Sequence, residues 1–236
     1  MEHARVKEQD SRMVSAVLAS TKKLGQWTLP LFLTPQNKYK MALVCTVIVS
    51  LVYLVPNHLP IYEPATLRFS WIDHAVPFVP NTFWIYMSEF LMYIVAYTLA
   101  KDLRNANQFI YAFIGLFSIC SVIFLFFPTT FPRQDYPLPE SLNTFTYKSF
   151  YFFRLLDRPT NCLPSLHVAS TYLTSFIFLN EQKEKFKYFF IWATLIAIST
   201  LTTKQHYFID VVAGFFTAIV IYFIFYRLVP YRSKPH

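Results

Sequence analysis

The C-terminal half of the chain places a histidine and an aspartate at a spacing that suits chemistry. His206 and Asp210 are four residues apart, so on a helix they share one face. A carboxylate beside an imidazole fixes the tautomer of the ring and stabilises its charged form. The pair therefore suits a histidine nucleophile or base, although a single His–Asp pair at a helix end also occurs as a structural cap.

A second, earlier segment combines a helix start with polar side chains. Pro164 is well placed to begin a helix, because its missing N–H costs nothing at that position. Ser165 and the free N–H groups of the first turn can hold an anion, and His167 lies one turn further in. Arg158 and Lys204 add cationic charge beside the two segments. Together, the two segments predict a site for phosphate.

The rest of the sequence predicts that helices in a bilayer position these residues. Of the 236 residues, 55% are hydrophobic and only 14% are charged, whereas a soluble domain carries about a quarter charged residues. Backbone groups in lipid must be satisfied within their own segment, so we predict an all-α, polytopic membrane bundle of about six transmembrane helices. The predicted spans are 39–56, 81–100, 108–127, 164–180, 186–203 and 207–228.

The distribution of Lys and Arg predicts how this bundle is oriented. Fifteen of the 21 Lys and Arg residues fall on the side that holds both termini, and six fall on the other side. Positively charged segments tend to stay in the cytoplasm, so we expect both termini there and the 57–80 and 128–163 loops outside. This orientation puts the two polar segments at the extracytoplasmic face. The excess of Lys and Arg on the cytoplasmic side thus explains the net charge of +8. Because this charge is explained by membrane orientation, nucleic acid is not expected as a partner.

The chain is expected to form one membrane domain with short flanks. This domain, 39–229, would lie between a basic cytoplasmic N-terminal segment, 1–38, and a cytoplasmic tail, 230–236. The three cysteines form no CxxC pair, which indicates neither a disulfide framework nor a zinc site. With only three glycines, a glycine-rich phosphate loop is excluded, so side chains and helix ends must hold any phosphate.

The two polar segments resemble the type-2 phosphatidic acid phosphatase superfamily. The resemblance rests on Pro164–His167, which reads Pro-Ser-Leu-His, and on His206–Asp210, which reads His-Tyr-Phe-Ile-Asp. By motif it covers about residues 157–214. The superfamily signature has three parts: a Lys…Arg-Pro segment, a Pro-Ser-x-His segment and a Ser-Arg…His…Asp segment. The second and third motifs together are specific.

The resemblance implies a role for each matched residue. His206 would attack phosphorus and form a phosphohistidine, and Asp210 would orient this ring and stabilise its charge. His167 would protonate the leaving alkoxide and then activate the incoming water or alcohol. Arg158 and Ser165 would hold phosphate oxygens. We expect no metal and no other cofactor, because side chains supply the positive charge.

The sequence departs from the superfamily pattern at two cations. The lysine of the first motif would fall at residue 151, which is Tyr151, and the arginine of the third motif at residue 200, which is Thr200. Arg154 or Lys148 is a candidate replacement for the lysine. Lys204 is the candidate replacement for the arginine.

The resemblance implies an integral membrane enzyme, placed in a bacterial inner membrane, that hydrolyses a lipid phosphomonoester or diphosphate. The form with Ser199–Thr200 and Pro-Ser-Leu-His is more similar to the inositol phosphorylceramide synthase and sphingomyelin synthase branch. A lipid headgroup phosphotransferase is therefore the alternative, and a non-catalytic transporter or scaffold is a second one. The sequence leaves open the oligomeric state and the lipid: phosphatidic acid, phosphatidylglycerol phosphate, undecaprenyl diphosphate or a lipid A phosphate.

One carboxylate lies within a predicted span. Glu89 falls in the middle of 81–100, where a charge is costly and often functional. We expect it to lie too deep to touch the phosphate, which favours a structural or gating role.

Overall fold

The computed structural model describes residues 28–179 and 182–232, and within them the chain is mostly helical. This confirms the predicted all-α bundle. Much of the expected N-terminal segment, and residues 233–236 of the expected tail, lie outside the described residues. The helices are α1 (Lys38–His58), α2 (Trp71–Ala75), α3 (Phe83–Leu99), α4 (Leu103–Phe126), α5 (Thr144–Leu156), α6 (Leu166–Phe176), α7 (Lys183–Thr202) and α8 (Phe208–Phe223). A π-helical turn, Ile224–Leu228, extends α8.

Helix α6 is the centre of the bundle and contacts α3, α4, α7 and α8. All of its residues except His167 are buried. Its middle carries hydroxyl side chains, and Ser170, Thr171 and Thr174 donate to backbone carbonyls one turn earlier at 2.7–2.8 Å. Because protein surrounds this helix, it does not need the apolar surface of a lipid-facing span. This explains why its sequence is less apolar than the other predicted spans.

Among residues 28–179 and 182–232, three helices are long and apolar enough to cross a bilayer by length and composition: α1, α4 and Phe208–Leu228. Large apolar side chains of α1, such as Leu43 and Leu51, are exposed, as expected where lipid covers a protein. The chain is therefore a membrane protein. Helices α3, α6 and α7 lie where the other spans were predicted, but α3 has 17 residues and α6 has 11. The number of crossings, the orientation and the domain boundaries remain predictions.

Two short parallel strand pairs join distant parts of the chain. Ala65–Thr66 pairs with Thr129–Thr130, and Leu29–Pro30 pairs with Tyr231–Arg232. Thr129 also bridges to Asn161. The first pair therefore holds the α1–α3 and α4–α6 connections together beside the start of α6.

Asp73, in α2, caps two helices at once. One carboxylate oxygen accepts hydrogen bonds from the N–H and the hydroxyl of Ser70, which is the N-cap of α2. The other oxygen accepts the N–H of Phe208, the first residue of α8, at 2.7 Å. Helix α2 is thereby fixed against the start of α8.

Candidate active site

His206 lies in the turn before α8 and not on the helix itself. Its Nδ1 is 3.3 Å from Oδ2 of Asp210, and the same oxygen accepts the N–H of Tyr207 at 2.9 Å. Asp210 thus reaches back from the first turn of α8, as a capping carboxylate does, and holds the imidazole with the same atom. The two side chains meet as their spacing suggests, but capping geometry and not a shared helix face brings them together.

His167, the second residue of α6, is also held by a carboxylate. Its Nδ1 lies 2.8 Å from Oε1 of Glu89, a residue of α3 that is 2% exposed. The other oxygen of Glu89 accepts from the hydroxyl of Tyr93 at 3.2 Å, and Tyr93 pairs with Ser170 at 2.7 Å. Glu89 therefore contacts one of the two imidazoles of the site, a contact that the sequence did not predict. The signal in the sequence was the position of a carboxylate within an apolar span.

The two imidazoles face each other where α6 and α8 begin. Their ring centroids are 5.9 Å apart, and their planes meet at 63°. The N–H of Ser165 donates to the carbonyl of Asp210 at 3.0 Å. A Cβ added at Gly214 would lie 2.5 Å from the carbonyl oxygen of Ser165. Glycine therefore lets α8 approach α6 closely, and this approach sets the distance between the histidines.

Ser165 is the N-cap of α6, so Pro164 precedes the cap and does not open the helix. The Oγ of Ser165 accepts the N–H of Val168 at 3.4 Å, and the residue is fully buried. A serine hydroxyl that accepts one hydrogen bond still has a hydrogen to donate. The predicted contact with a phosphate oxygen is therefore compatible with the cap.

The two arginines predicted to bind phosphate lie in different surroundings. Arg158 is exposed, and its Nη1 is 3.5 Å from the carbonyl oxygen of His58 at the end of α1. Arg154 donates from Nη1 to the carbonyl of Tyr136 at 2.9 Å, and its guanidinium lies 4.6 Å from the ring centre of Phe150. Burial, with a contribution from a nearby arginine, lowers the pKa of Arg154 to about 10.

Lys204 has partners other than the predicted phosphate. Its Nζ donates to the backbone carbonyls of Asp73 at 2.9 Å and Val76 at 2.6 Å, and lies 5.2 Å from the ring centre of Tyr136. The residue is 4% exposed, and its φ of 55° lies in the left-handed region. Burial lowers the pKa of its ammonium group, an effect that Asp73 opposes. The lysine therefore fastens α2 to the turn that carries His206.

A buried ion pair that the sequence analysis did not identify lies beside His167. Arg133 donates from Nη2 to Oδ2 of Asp157 at 3.1 Å, and from Nη1 to the backbone carbonyl of the same residue. The hydroxyl of Tyr53 donates to Oδ1 of Asp157. Burial raises the pKa of Asp157, but the charges of Arg133 and His167 outweigh it, so the pKa lies below its ordinary value. Residue 157 begins the range that the superfamily resemblance covers, whereas no spacing in the sequence links Arg133 to Asp157.

Within the described ranges, one group of side chains could hold a metal ion. The ligand atoms of Cys162, His206 and Asp210 lie within 4.8 Å of one another. However, burial raises the pKa of the Cys162 thiol, which disfavours the thiolate that binds metals. Oδ2 of Asp210 already accepts two hydrogen bonds, one of them from His206 of the same group, while its Oδ1 has no hydrogen-bond partner among the described residues. The donor set therefore fits a hydrogen-bonded imidazole better than a metal centre.

An apolar cavity of about 580 Å³ begins beside His167 and lies between α1, α3, α4 and α6. At one end, Glu89, Asp157 and His167 line it, and at the other end Tyr39 and Thr98 do. Tyr39 is near the start of α1 and Thr98 is near the end of α3, and both of these helix ends are far from the histidines. The size and lining suit a hydrocarbon chain whose polar end reaches His167.

Two comparisons relate the chain to known proteins. The uncharacterized protein MJ0662 of Methanocaldococcus jannaschii is 35% identical over 74 residues, which are 31% of this chain and 30% of that protein. The chain thus matches less than a third of the length of this relative. A sequence model of the PAP2 superfamily matches residues 63–224, which include both histidines and the aspartates beside them. Because that match covers more than half of the chain, the protein belongs to the PAP2 superfamily, the one that its motifs resemble.

Proposed function

We propose that this membrane protein hydrolyses a phosphate ester of a lipid through a phosphohistidine at His206. The observation that carries the proposal is a pair of imidazoles, each held at Nδ1 by a carboxylate, with ring centroids 5.9 Å apart. A phosphorus atom between them would be attacked from one side while its leaving oxygen is protonated from the other. Membership of the PAP2 superfamily supports a phosphatase-like activity in general.

His206 is the nucleophile in this proposal. When the hydrogen of its Nδ1 is bonded to Asp210, the lone pair is on Nε2. Nε2 attacks phosphorus, so that an N–P bond forms and the P–O bond to the lipid breaks. The carboxylate of Asp210 stabilises the positive charge that develops on the ring.

His167 transfers the proton. Its Nδ1 is occupied by Glu89, and its Nε2 is buried without a hydrogen-bond partner among the described residues. The charge of Glu89 stabilises the protonated ring until Nε2 gives its proton to the leaving lipid oxygen. Water then loses a proton to His167 and attacks phosphorus, which breaks the N–P bond, releases phosphate and restores His206.

The apolar cavity supports a lipid as the substrate. Its polar end reaches His167, so a hydrocarbon chain lying in the cavity would bring its leaving oxygen to the proton donor. The phosphoryl group would then lie between the two rings, on the side of His206. A water-soluble phosphate ester would leave this apolar surface unused.

A lipid headgroup phosphotransferase is the second candidate function. The same cavity could deliver a lipid alcohol, in place of water, to the imidazole of His167. The reaction would differ only in the acceptor that attacks the phosphohistidine. A non-catalytic transporter or scaffold has less support, because the two histidines and their carboxylates are assembled as catalysis requires.

The test is an assay in detergent micelles on phosphatidic acid, phosphatidylglycerol phosphate, undecaprenyl diphosphate and a lipid A phosphate. Hydrolysis releases free phosphate, whereas transfer yields a new phospholipid. We expect His206→Ala to abolish both and His74→Ala, at an exposed histidine, to retain activity. A chelator should leave the rate unchanged. Near wild-type turnover by a folded His206→Ala variant would contradict the mechanism.

A further inference from the structure

Arg133 is a buried cation that the reaction described above does not use. It is 8% exposed and begins a short 3-10 turn. Its loop is fixed to the turn that carries His206, because the ring of Phe131 packs on Tyr207 with centroids 4.6 Å apart and the hydroxyl of Tyr207 donates to the carbonyl of Thr130 at 3.1 Å. The same contacts thus position both Arg133 and the nucleophile.

One carboxylate oxygen links Arg133 to the reacting groups. Oδ2 of Asp157 lies 3.1 Å from Nη2 of Arg133 and 4.0 Å from Nε2 of His167. The ring of His167 in turn faces the ring of His206. The guanidinium is therefore separated from the proton donor by a single carboxylate oxygen.

Arg133 has N–H donors that no group in the described part of the chain accepts. A guanidinium has five N–H donors, and Asp157 accepts from both terminal nitrogens through its side chain and its backbone carbonyl. The Nε of Arg133 is buried and has no partner within the described part of the chain. A buried N–H without an acceptor is costly. Together with a neighbouring terminal N–H, it forms a fork that matches two phosphate oxygens.

The other cations near the histidines are held differently. Lys204 donates to two backbone carbonyls, and Arg158 is exposed at the end of α1. Arg154 also has buried nitrogens without a partner in the described ranges, but its guanidinium lies over an aromatic ring. Phosphoryl transfer requires a preorganised cation where charge develops on the equatorial oxygens. Arg133, held by a buried carboxylate beside the proton donor, meets this requirement.

We propose that Arg133 binds the phosphoryl oxygens of the substrate and that Asp157 is the residue that positions it. The ligand is the terminal phosphate of a lipid monoester or diphosphate, and inorganic phosphate shares its chemistry. Arg133 keeps both bonds to Asp157 and donates from Nε to the phosphate. The proposal rests on the proposed function for the identity of the substrate, but its binding test needs no turnover.

Inorganic phosphate is the probe for this test, and its binding to the purified protein is measured by calorimetry. We expect Arg133→Gln to bind phosphate about 10- to 100-fold more weakly than wild type, because a charged hydrogen-bond donor is lost. Arg133→Lys should recover only part of the affinity, since an ammonium cannot replace a planar fork. Arg104→Gln, at an exposed residue at the other end of the bundle, should bind as wild type does.

Arg133→Gln also leaves the carboxylate of Asp157 buried and unpaired, so two more variants separate binding from folding. Asp157→Asn keeps Arg133, and the double variant Arg133→Gln/Asp157→Asn removes both charges. We expect Asp157→Asn to bind phosphate and the double variant to bind it as weakly as Arg133→Gln. Equal binding by Asp157→Asn and the double variant would overturn the proposal. If wild type binds phosphate through Arg133 but releases none from any lipid of the panel, only the proposed hydrolysis fails.

Discussion

Both histidines of the site are contacted by a carboxylate at Nδ1, which leaves Nε2 as the nitrogen for chemistry. The two carboxylates differ in what else they do. Asp210 also caps α8 through the N–H of Tyr207, so the nucleophile is tied to a helix start. Glu89 also accepts from Tyr93, so the proton donor is tied to the interior of the bundle. A carboxylate within an apolar span is costly unless it is paired, and His167 supplies that partner.

Replacing Lys204 with methionine is expected to lower stability more than the rate. The variant leaves two backbone carbonyls, one buried and one partly buried, without their donor, at a cost of about 1–3 kcal/mol. Thermal unfolding in detergent should therefore show a lower Tm than wild type. Turnover per folded molecule should stay near the wild-type value.

Lys101→Met, at an exposed lysine, is the control for the Lys204 variant, and we expect it to change neither quantity. The opposite pattern for Lys204→Met, an unchanged Tm with slow turnover, would support the phosphate contact that the sequence predicts for this residue. That outcome would require the third N–H of the ammonium to reach the substrate.

At the residue scale, the sequence predicted only a contact between residues that are close together in the chain. His206 and Asp210 are four residues apart, so their pairing follows from one turn of chain. The partners of His167 and Asp157 were not predictable in this way. Glu89 is 78 residues from His167, and Arg133 is 24 residues from Asp157. Such contacts depend on how helices and loops pack, which one sequence without that packing does not reveal.

At the element scale, the starts of α6 and α8 are the parts that hold the site. Ser165 caps α6 and also donates its N–H to the carbonyl of Asp210 in α8. The sequence predicted a helix near each position from apolar blocks, but it placed the end of the fourth span at residue 180, whereas α6 ends at Phe176. Hydropathy does not locate this end, because the environment of α6 is protein and not lipid.

Gly214→Ala is expected to lower both activity and stability by separating α6 from α8. The added Cβ would lie 2.5 Å from a backbone oxygen, that of Ser165, which cannot turn aside as a side chain can. Overpacking of this kind costs about 1–3 kcal/mol, and the shift would increase the distance between the two imidazoles. Turnover and Tm of the purified variant measure the two effects.

Gly115→Ala is the matched control within α4. Its Cβ would also meet an atom at 2.5 Å, but that atom belongs to the far end of the Phe225 ring, which can move. We expect near wild-type turnover from this variant. Equal losses at Gly214 and Gly115 would show that the close approach of α8 to α6 does not set the site.

At the scale of the whole molecule, the loops assemble the site and the bundle supplies the cavity. Asn57, at the end of α1, accepts the N–H of Arg158 at 3.0 Å, so the lipid-facing α1 is joined to the polar segment. At the other end, Lys38 is near the end of α3, since its Nζ donates to the carbonyl of Ala100 at 2.6 Å. Helix α1 therefore runs the full length of the cavity. Composition predicted the membrane bundle, but which helices enclose a cavity follows from their packing alone.

The cavity predicts how activity depends on the length of the lipid chain. Its lining runs along α1 from Tyr39 to Leu54, a distance of about 22 Å at the rise of an α-helix. Ala42 lines the end far from the histidines, so Ala42→Trp should shorten the cavity without touching the site. Each methylene kept out of apolar surroundings costs about 0.8 kcal/mol, so excluding two lowers kcat/KM by about tenfold. We expect this loss for long-chain lipid phosphates and none for a short-chain analogue, measured in the same micelles.

Leu43→Trp is the control, because Leu43 is 67% exposed on the lipid-facing side of the same turn. If Ala42→Trp and Leu43→Trp act alike at every chain length, the lipid chain lies outside this cavity and enters the site from another side.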